Sequence, residues 1–289
     1  MRKLFLSFLI ILCTLSLFSQ DEVVWLWKGV EKMKGEKTRL YVFKAPDSIN
    51  TGVSVIICPG GSYHHLGLRG EGFTSARWFN SMGITAFVLR YRVSIDGYHH
   101  PAMIQDVQRA TQWVRDHAEK YAIDPNKVGV MGFSAGGHLA LMAGAFYNQN
   151  YLGECITFTR VNFKPAFVAP IYPVVSMQDS IAHEWSRESL LTKRYTKELQ
   201  DKFSMELQVP DGMPPVFLLA SKDDPVVDYR NSVCLHRALE DKHITNKFLL
   251  YDTGGHGYGM KDTEFTRTTR WNYILYEWLQ EIGVIIPKK

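Results

Sequence analysis

The segment Val128-Gly129-Val130-Met131-Gly132-Phe133-Ser134-Ala135-Gly136-Gly137-His138-Leu139-Ala140 constrains this chain more than any other. An apolar β run passes directly into a small-residue run suited to a helix, and a serine stands at the junction. A serine in that position occupies a sharp, strained strand-to-helix turn that exposes its hydroxyl. Gly132 and Gly136 flank it at equal spacing and let strand and helix approach closely. The start of the helix also aims backbone N–H groups and a partial positive charge at any anion forming beside the hydroxyl. In a chain with 22 glycines the Gly-x-Ser-x-Gly spacing alone carries little weight. The strand before it and the helix-forming run after it carry the argument.

Around this junction, strand-like and helix-like segments alternate. Leu40–Phe43, Val53–Cys58, Ile84–Leu89, Lys127–Phe133, Ala166–Tyr172, Val216–Ala220 and Lys247–Tyr251 read as strands. Several are nearly continuous apolar runs, the pattern of parallel strands covered on both faces. Helices are expected over 71–81, 101–117, 230–240 and 266–280. In the second of these Pro101 suits the first turn, and Ile104, Val107, Ala110 and Val114 share one face. Repeated strand–helix units imply a mostly parallel sheet with helices on both faces. The interval Val174–Gly212 lacks strand character and reads as a helical excursion over the sheet, the kind of insertion that shapes a pocket. A chain of 289 residues suits one large α/β domain, expected over 21–289.

The first 20 residues read as a signal peptide. Arg2-Lys3 precede an uncharged apolar run from Leu4 to Phe18, and Ser19-Gln20-Asp21-Glu22 then turns polar. The run is shorter than the roughly 20 residues of a membrane span, so a secreted or periplasmic location is expected, with an uncleaved anchor as the alternative. Leu12 stands before Cys13 where a lipoprotein signal wants a small residue. A net charge of +4, part of it carried by Arg2 and Lys3, gives no electrostatic case for nucleic acid or an anionic membrane as partner. Of the four cysteines, Cys13, Cys58, Cys155 and Cys234, the last three outlast the leader. They allow at most one disulfide and match no zinc spacing.

An unassisted serine hydroxyl is a weak nucleophile and needs an oriented base. Among ten histidines, His256 stands out: it lies in Asp252-Thr253-Gly254-Gly255-His256-Gly257-Tyr258-Gly259, directly after the last strand. The acid is expected after Val216–Ala220, in Ser221-Lys222-Asp223-Asp224-Pro225-Val226-Val227. Asp224 is favoured over Asp223, whose alternative use is a turn or helix cap. Asp252 lies nearer to His256 in sequence but on the wrong loop. Pro59-Gly60-Gly61-Ser62-Tyr63 follows an earlier strand, where a second set of oxyanion donors belongs. The N–H groups of Gly61, Ser62 and Ala135 are the expected donors. His64-His65 and His99-His100 are adjacent pairs whose rings diverge, and no carboxylate accompanies them at ligand spacing. Pocket lining is the reading for the first pair; neither a metal nor a cofactor is implied.

Taken together, these motifs resemble the acetyl-xylan-esterase-like, short-chain carboxylesterase branch of the α/β-hydrolase fold. The resemblance rests on Ile57–Tyr63, Phe87–Arg92, His100–Asp106, Ile123–Pro125, Gly132–Ala140, Ser186–Leu191, Asp223–Val227 and Gly254–Gly259, and runs nearly the full length after the leader. It implies removal of short acyl groups, often acetyl, from sugar hydroxyls of plant polysaccharides, with Ser134, Asp224 and His256 at the triad positions. The implied partner is a small ester or acetylated oligosaccharide, without stable membrane association once the leader is removed. Ser62 stands where the family has a third glycine, and Asp228 where it commonly has proline. A peptidase of the same fold, a long-chain lipase and a non-catalytic carbohydrate-binding module are the competing readings.

Overall fold

Strands that are apolar on both sides need helices on both sides. The computed structural model, which describes residues 20–33, 36–153, 156 and 163–286, supplies them. Eight strands form one sheet in the order β1-β2-β4-β3-β5-β6-β7-β8. They are β1 (Glu22–Trp25), β2 (Arg39–Phe43), β3 (Ser54–Cys58), β4 (Thr85–Arg90), β5 (Val128–Phe133), β6 (Val168–Ile171), β7 (Val216–Ser221) and β8 (Asn246–Tyr251). The β1–β2 and β2–β4 pairings are antiparallel and the rest parallel. Among the described residues eight α-helices join them: α1 (Thr74–Ser81), α2 (Ala102–Asp116), α3 (Ala135–Ala145), α4 (Glu184–Leu191), α5 (Lys197–Lys202), α6 (Arg230–Asp241), α7 (Glu264–Thr269) and α8 (Trp271–Glu281).

Alternation along the strands divides the interior into two layers. Ile56, Val130 and Leu218 face α2, α3 and α6 through Val107, Leu139 and Leu235. Val55, Ile57, Met131 and Phe217 face α1 and α8 through Phe79, Trp271 and Trp278. The shared face of α2 is buried, Ile104, Val107, Ala110 and Val114 all lying in the core. Helix α3 is buried along its whole length, as a helix apolar on every side must be.

A network around Asp106 ties α2 to the first strands. This buried carboxylate accepts from Trp27 Nε1 at 2.7 Å, from the Arg92 backbone N–H at 2.8 Å and from Thr38 Oγ1 at 3.2 Å. The Arg92 guanidinium approaches it to 2.9 Å. With its partners supplied on every side, the buried charge is compensated. This accounts for Arg92 and Asp106 within the sequence motifs.

Several expected boundaries shift. The helix expected from residue 71 begins as a π-helical turn, Leu68–Phe73, and α1 starts at Thr74. The single helix expected over 266–280 is two, α7 and α8, because Arg270 takes a left-handed conformation with φ 49°. Pro101 caps α2 from outside its first turn. Strand β1 has no counterpart in the sequence reading, whereas the excursion over 174–212 does contain helices α4 and α5. Residues 1–19 of the expected leader, with Cys13, and also Cys155 lie outside the described residues. Cys58 and Cys234 are free thiols. No described helix is long and apolar enough to cross a membrane.

The register sets the loops side by side. Cys58 of β3 pairs with Gly132 of β5, Phe133 with Ile171 of β6, and Ser221 of β7 with Tyr251 of β8. The loops leaving the carboxyl ends of β3, β5, β7 and β8 therefore gather along one edge, where ligands bind in open α/β sheets.

Candidate active site

The turn after β5 brings backbone and side chains close enough that only glycine fits beside the serine. A methyl group on Gly132 would lie 1.9 Å from the Gly136 carbonyl oxygen, and one on Gly136 would lie 2.1 Å from the Cys58 carbonyl oxygen. Between them Ser134 adopts φ 54° and ψ −122°. This sparsely populated conformation persists only where surrounding structure enforces it. Enforcement comes from the backbone: Ser134 N–H donates to Ile171 at 3.0 Å, while Gly137 and Val174 N–H donate to the Ser134 carbonyl at 2.9 and 3.2 Å.

The loop after β8 delivers His256 to this serine. Its Nε2 lies 3.0 Å from Ser134 Oγ and its Nδ1 lies 2.7 Å from Asp224 Oδ2. The other oxygen of Asp224 accepts from the N–H groups of Val226 and Val227 at 2.8 and 2.9 Å. The Asp224 side chain is 1% exposed and that of His256 14%. Asp223 turns the other way and accepts from Gly255 N–H at 2.8 Å, bracing the histidine loop. Asp252 projects into solvent and pairs with Lys222 at 2.7 Å. The expected Ser134, His256 and Asp224 are thus in one hydrogen-bonded line, and both competing aspartates are outside it.

A cavity of about 400 Å³ opens over Ser134 and His256, bounded by Gly61, Ser62, His65 and Glu71. Gly60 N–H is occupied by Glu71 Oε2 at 2.7 Å. Among the described hydrogen bonds the N–H groups of Gly61, Ser62 and Ala135 have no acceptor, so these expected donors stay available. Ser62 sits at φ 56° and Tyr63 at φ 58°, in the left-handed region that favours glycine. The substitution of serine for the third glycine therefore falls where the backbone has glycine geometry. The other departure, Asp228, accepts from Arg230 N–H at 2.9 Å at the start of α6.

His138, one helical turn beyond Ser134, fixes the loop from behind. Its Nε2 donates to the Phe203 carbonyl at 2.8 Å, which leaves Nδ1 to accept from Tyr63 Oη at 2.8 Å. Burial pushes its pKa down to about 4, keeping the imidazole neutral. Of the histidine pair expected to line the pocket, His65 borders the cavity, and the rings of both His64 and His65 pack near Trp185. Among the described residues no group of three or more His, Cys, Asp or Glu could hold a metal ion.

Glu71 is the site residue that sequence reasoning missed. It is buried, and its second oxygen accepts from Tyr172 Oη at 2.9 Å; that hydroxyl in turn accepts from Gly259 N–H at 3.0 Å. One carboxylate so links the loop after β3 to the histidine loop. Its only sequence signal is a lone acid in a glycine-rich stretch. Burial raises its pKa, against the opposing hydrogen bonds from Tyr172 and Gly60. A raised acid binds its proton more tightly in the folded state than in the unfolded one. Its contribution to stability is full at low pH and is lost as pH rises from the ordinary carboxylate range through the raised value. Glu71→Gln is therefore expected to gain stability relative to the parent as pH rises above the ordinary carboxylate range, read from urea midpoints. A pH-independent difference would contradict the ionisation of Glu71.

A parallel-centred eight-stranded sheet, a strained serine between β5 and α3, and a histidine–aspartate pair on the last two strand-end loops define an α/β-hydrolase. The chain belongs to the BD-FAE family, whose model matches residues 41–239. It is 31% identical over 213 residues to an acetylxylan esterase of Xylanibacter ruminicola, covering 72% of this chain and 42% of that one. It is 32% identical over 213 residues to endo-1,4-beta-xylanase B of Butyrivibrio fibrisolvens, covering 73% and 33%. The chain thus spans less than half the length of these two curated relatives. Among solved structures, an acetyl ester-xyloside bifunctional hydrolase from Caldicellulosiruptor lactoaceticus superimposes with a TM-score of 0.84 at 31% identity. That superposition covers 93% of this chain and 98% of the other.

Proposed function

We propose that the protein is a serine esterase that removes acetyl and similarly short acyl groups from sugar hydroxyls, with acetylated xylan fragments as the substrate class. The observation that carries this reading is the line Ser134–His256–Asp224 beside three unoccupied N–H donors. Ser134 Oγ attacks the ester carbonyl carbon as its proton passes to His256 Nε2. Asp224 holds the Nδ1–H and stabilises the imidazolium. The carbonyl oxygen takes up negative charge against the N–H groups of Gly61, Ser62 and Ala135, where one donor is typically worth about 2.7–4 kcal/mol of barrier. On collapse the C–O bond breaks and the sugar oxygen leaves with the proton from His256. Water, deprotonated by the same imidazole, then attacks the acyl-enzyme carbonyl; the C–O bond to Ser134 breaks, Ser134 Oγ takes the proton back from His256, and the carboxylic acid departs to ionise in solvent.

The names borne by the acetylxylan esterase and the acetyl ester-xyloside hydrolase support the sugar-ester reading, as does a cavity bordered by several glycines with Ser62, His65, Glu71 and Lys261. Residues 1–20 are proposed as a cleaved leader that sends the enzyme outside the cytoplasm, on the strength of Arg2-Lys3 and the uncharged run after them. The deciding experiment measures acetate release from acetylated xylo-oligosaccharides alongside acetyl, butyryl and feruloyl model esters. Preference for acetyl and turnover of the oligosaccharides are expected; activity rising with acyl length would overturn the proposal.

A further inference from the structure

The mouth of the cavity carries an aromatic shelf that the acyl-transfer chemistry does not use. Trp185, in the first turn of α4, is 49% exposed, although large aromatics ordinarily bury their rings. Its ring centre lies 5.3 Å from that of His64 and 5.8 Å from that of His65, tilted by 46° and 41°. His65 itself borders the cavity that Ser134 and His256 also line, so the shelf meets that cavity through His65. At the start of α4, His183 is partly buried, its Nδ1 2.7 Å from Ser186 Oγ.

The shelf is also held in place. Arg187 donates to the Met177 carbonyl at 2.8 Å and its guanidinium lies 4.8 Å from the Tyr195 ring centre, while Leu190 and Leu191 are buried in the core. His64 Nδ1 lies 3.1 Å from Ser94 Oγ, which steadies one neighbouring ring. An indole face on an anchored helix, half open to water and edged by two imidazoles, is amphipathic. A pyranose ring has the matching form, with C–H bonds on its faces and hydroxyls at its rim. An acyl chain presents no polar rim, and a polypeptide strand would look for unpaired backbone partners.

Resting on the esterase reading above, we infer that Trp185, flanked by His64 and His65, is a sugar-binding subsite that stacks a pyranose of the alcohol side of the substrate. It sits outside the bond-breaking line and acts by binding. Removing an indole face from such a contact uncovers apolar area worth about tenfold in binding. For Trp185→Ala, KM for acetylated xylo-oligosaccharides should rise about tenfold with little change in kcat, and the ratio of kcat/KM on those sugars to that on 4-nitrophenyl acetate should fall by about the same factor. Trp185→Phe, which keeps an aromatic face, should recover much of the loss.

The outcomes separate this proposal from the reading beneath it. A parent enzyme that cleaves 4-nitrophenyl acetate but no acetylated sugar overturns the sugar-ester reading and the subsite together. A parent active on acetylated sugars whose KM is unmoved in Trp185→Ala overturns the subsite alone. Equal losses on both substrate types, with no rescue by phenylalanine, would assign Trp185 to holding α4 and overturn it as well. So would a loss confined to 4-nitrophenyl esters of longer acids, which would place the acyl chain on the shelf.

Discussion

Ser134→Ala is expected to fold as the parent does and to lose activity on 4-nitrophenyl acetate by about 10⁶-fold, the scale seen when a triad nucleophile is removed. The two halves of this expectation have separate physical grounds. The turn is held by backbone hydrogen bonds to Ile171 and from Gly137 and Val174, none of which involves the hydroxyl. Ser134 already carries a Cβ at φ 54°, so alanine introduces no new steric demand. Chemistry, by contrast, needs the hydroxyl, which is the described hydrogen-bond partner of His256 Nε2 at 3.0 Å. What survives is the modest rate supported by donors that still bind the developing oxyanion. A fluorophosphonate probe should label the parent stoichiometrically and leave the variant unmodified. An active, correctly folded Ser134→Ala protein would sink the mechanism.

Legibility in the sequence follows how local each constraint is. The serine turn was readable because strand, glycine spacing and helix start are contiguous, and the structure places Gly132 and Gly136 where a methyl group would collide with backbone. The buried strands were readable because cover on both faces removes polar residues from them. The break at Arg270 was not, since the left-handed residue between α7 and α8 carries no glycine to mark it. Strand β1 is a short edge strand whose exposed residues hide its pairing with β2. Glu71 escaped notice because both its partners are remote in sequence: Tyr172 stands 101 residues away, and Gly60 is reached only through the fold of the intervening loop. Asp223 and Asp224 are adjacent carboxylates with similar sequence surroundings, and the turn from Ser221 to Val227 alone decides which of them faces the imidazole.

That turn also makes the choice testable, through a substitution that changes a single atom. In Asp224→Asn the side-chain oxygen must remain on the N–H groups of Val226 and Val227, because an amide nitrogen cannot accept from them. The amide NH₂ is then forced toward His256 Nδ1, the position now held by a carboxylate oxygen at 2.7 Å. An NH₂ group facing Nδ1 makes that nitrogen an acceptor and moves the proton to Nε2. With its proton pointing at Ser134 Oγ, the imidazole cannot take the serine's proton. The same change also removes the negative charge that stabilises the imidazolium. Wrong tautomer and missing charge together are expected to lower kcat by about 10⁴-fold. Asp223→Asn should behave differently, because its amide oxygen can still accept from Gly255 N–H. The cost there should stay below about tenfold, as expected of a largely solvent-facing brace. Measured kcat values on 4-nitrophenyl acetate for the two variants, each checked for native thermal unfolding, distinguish the carboxylates. Reversal of the two losses would transfer the orienting role to Asp223 and require the loop after β7 to rearrange in the working enzyme.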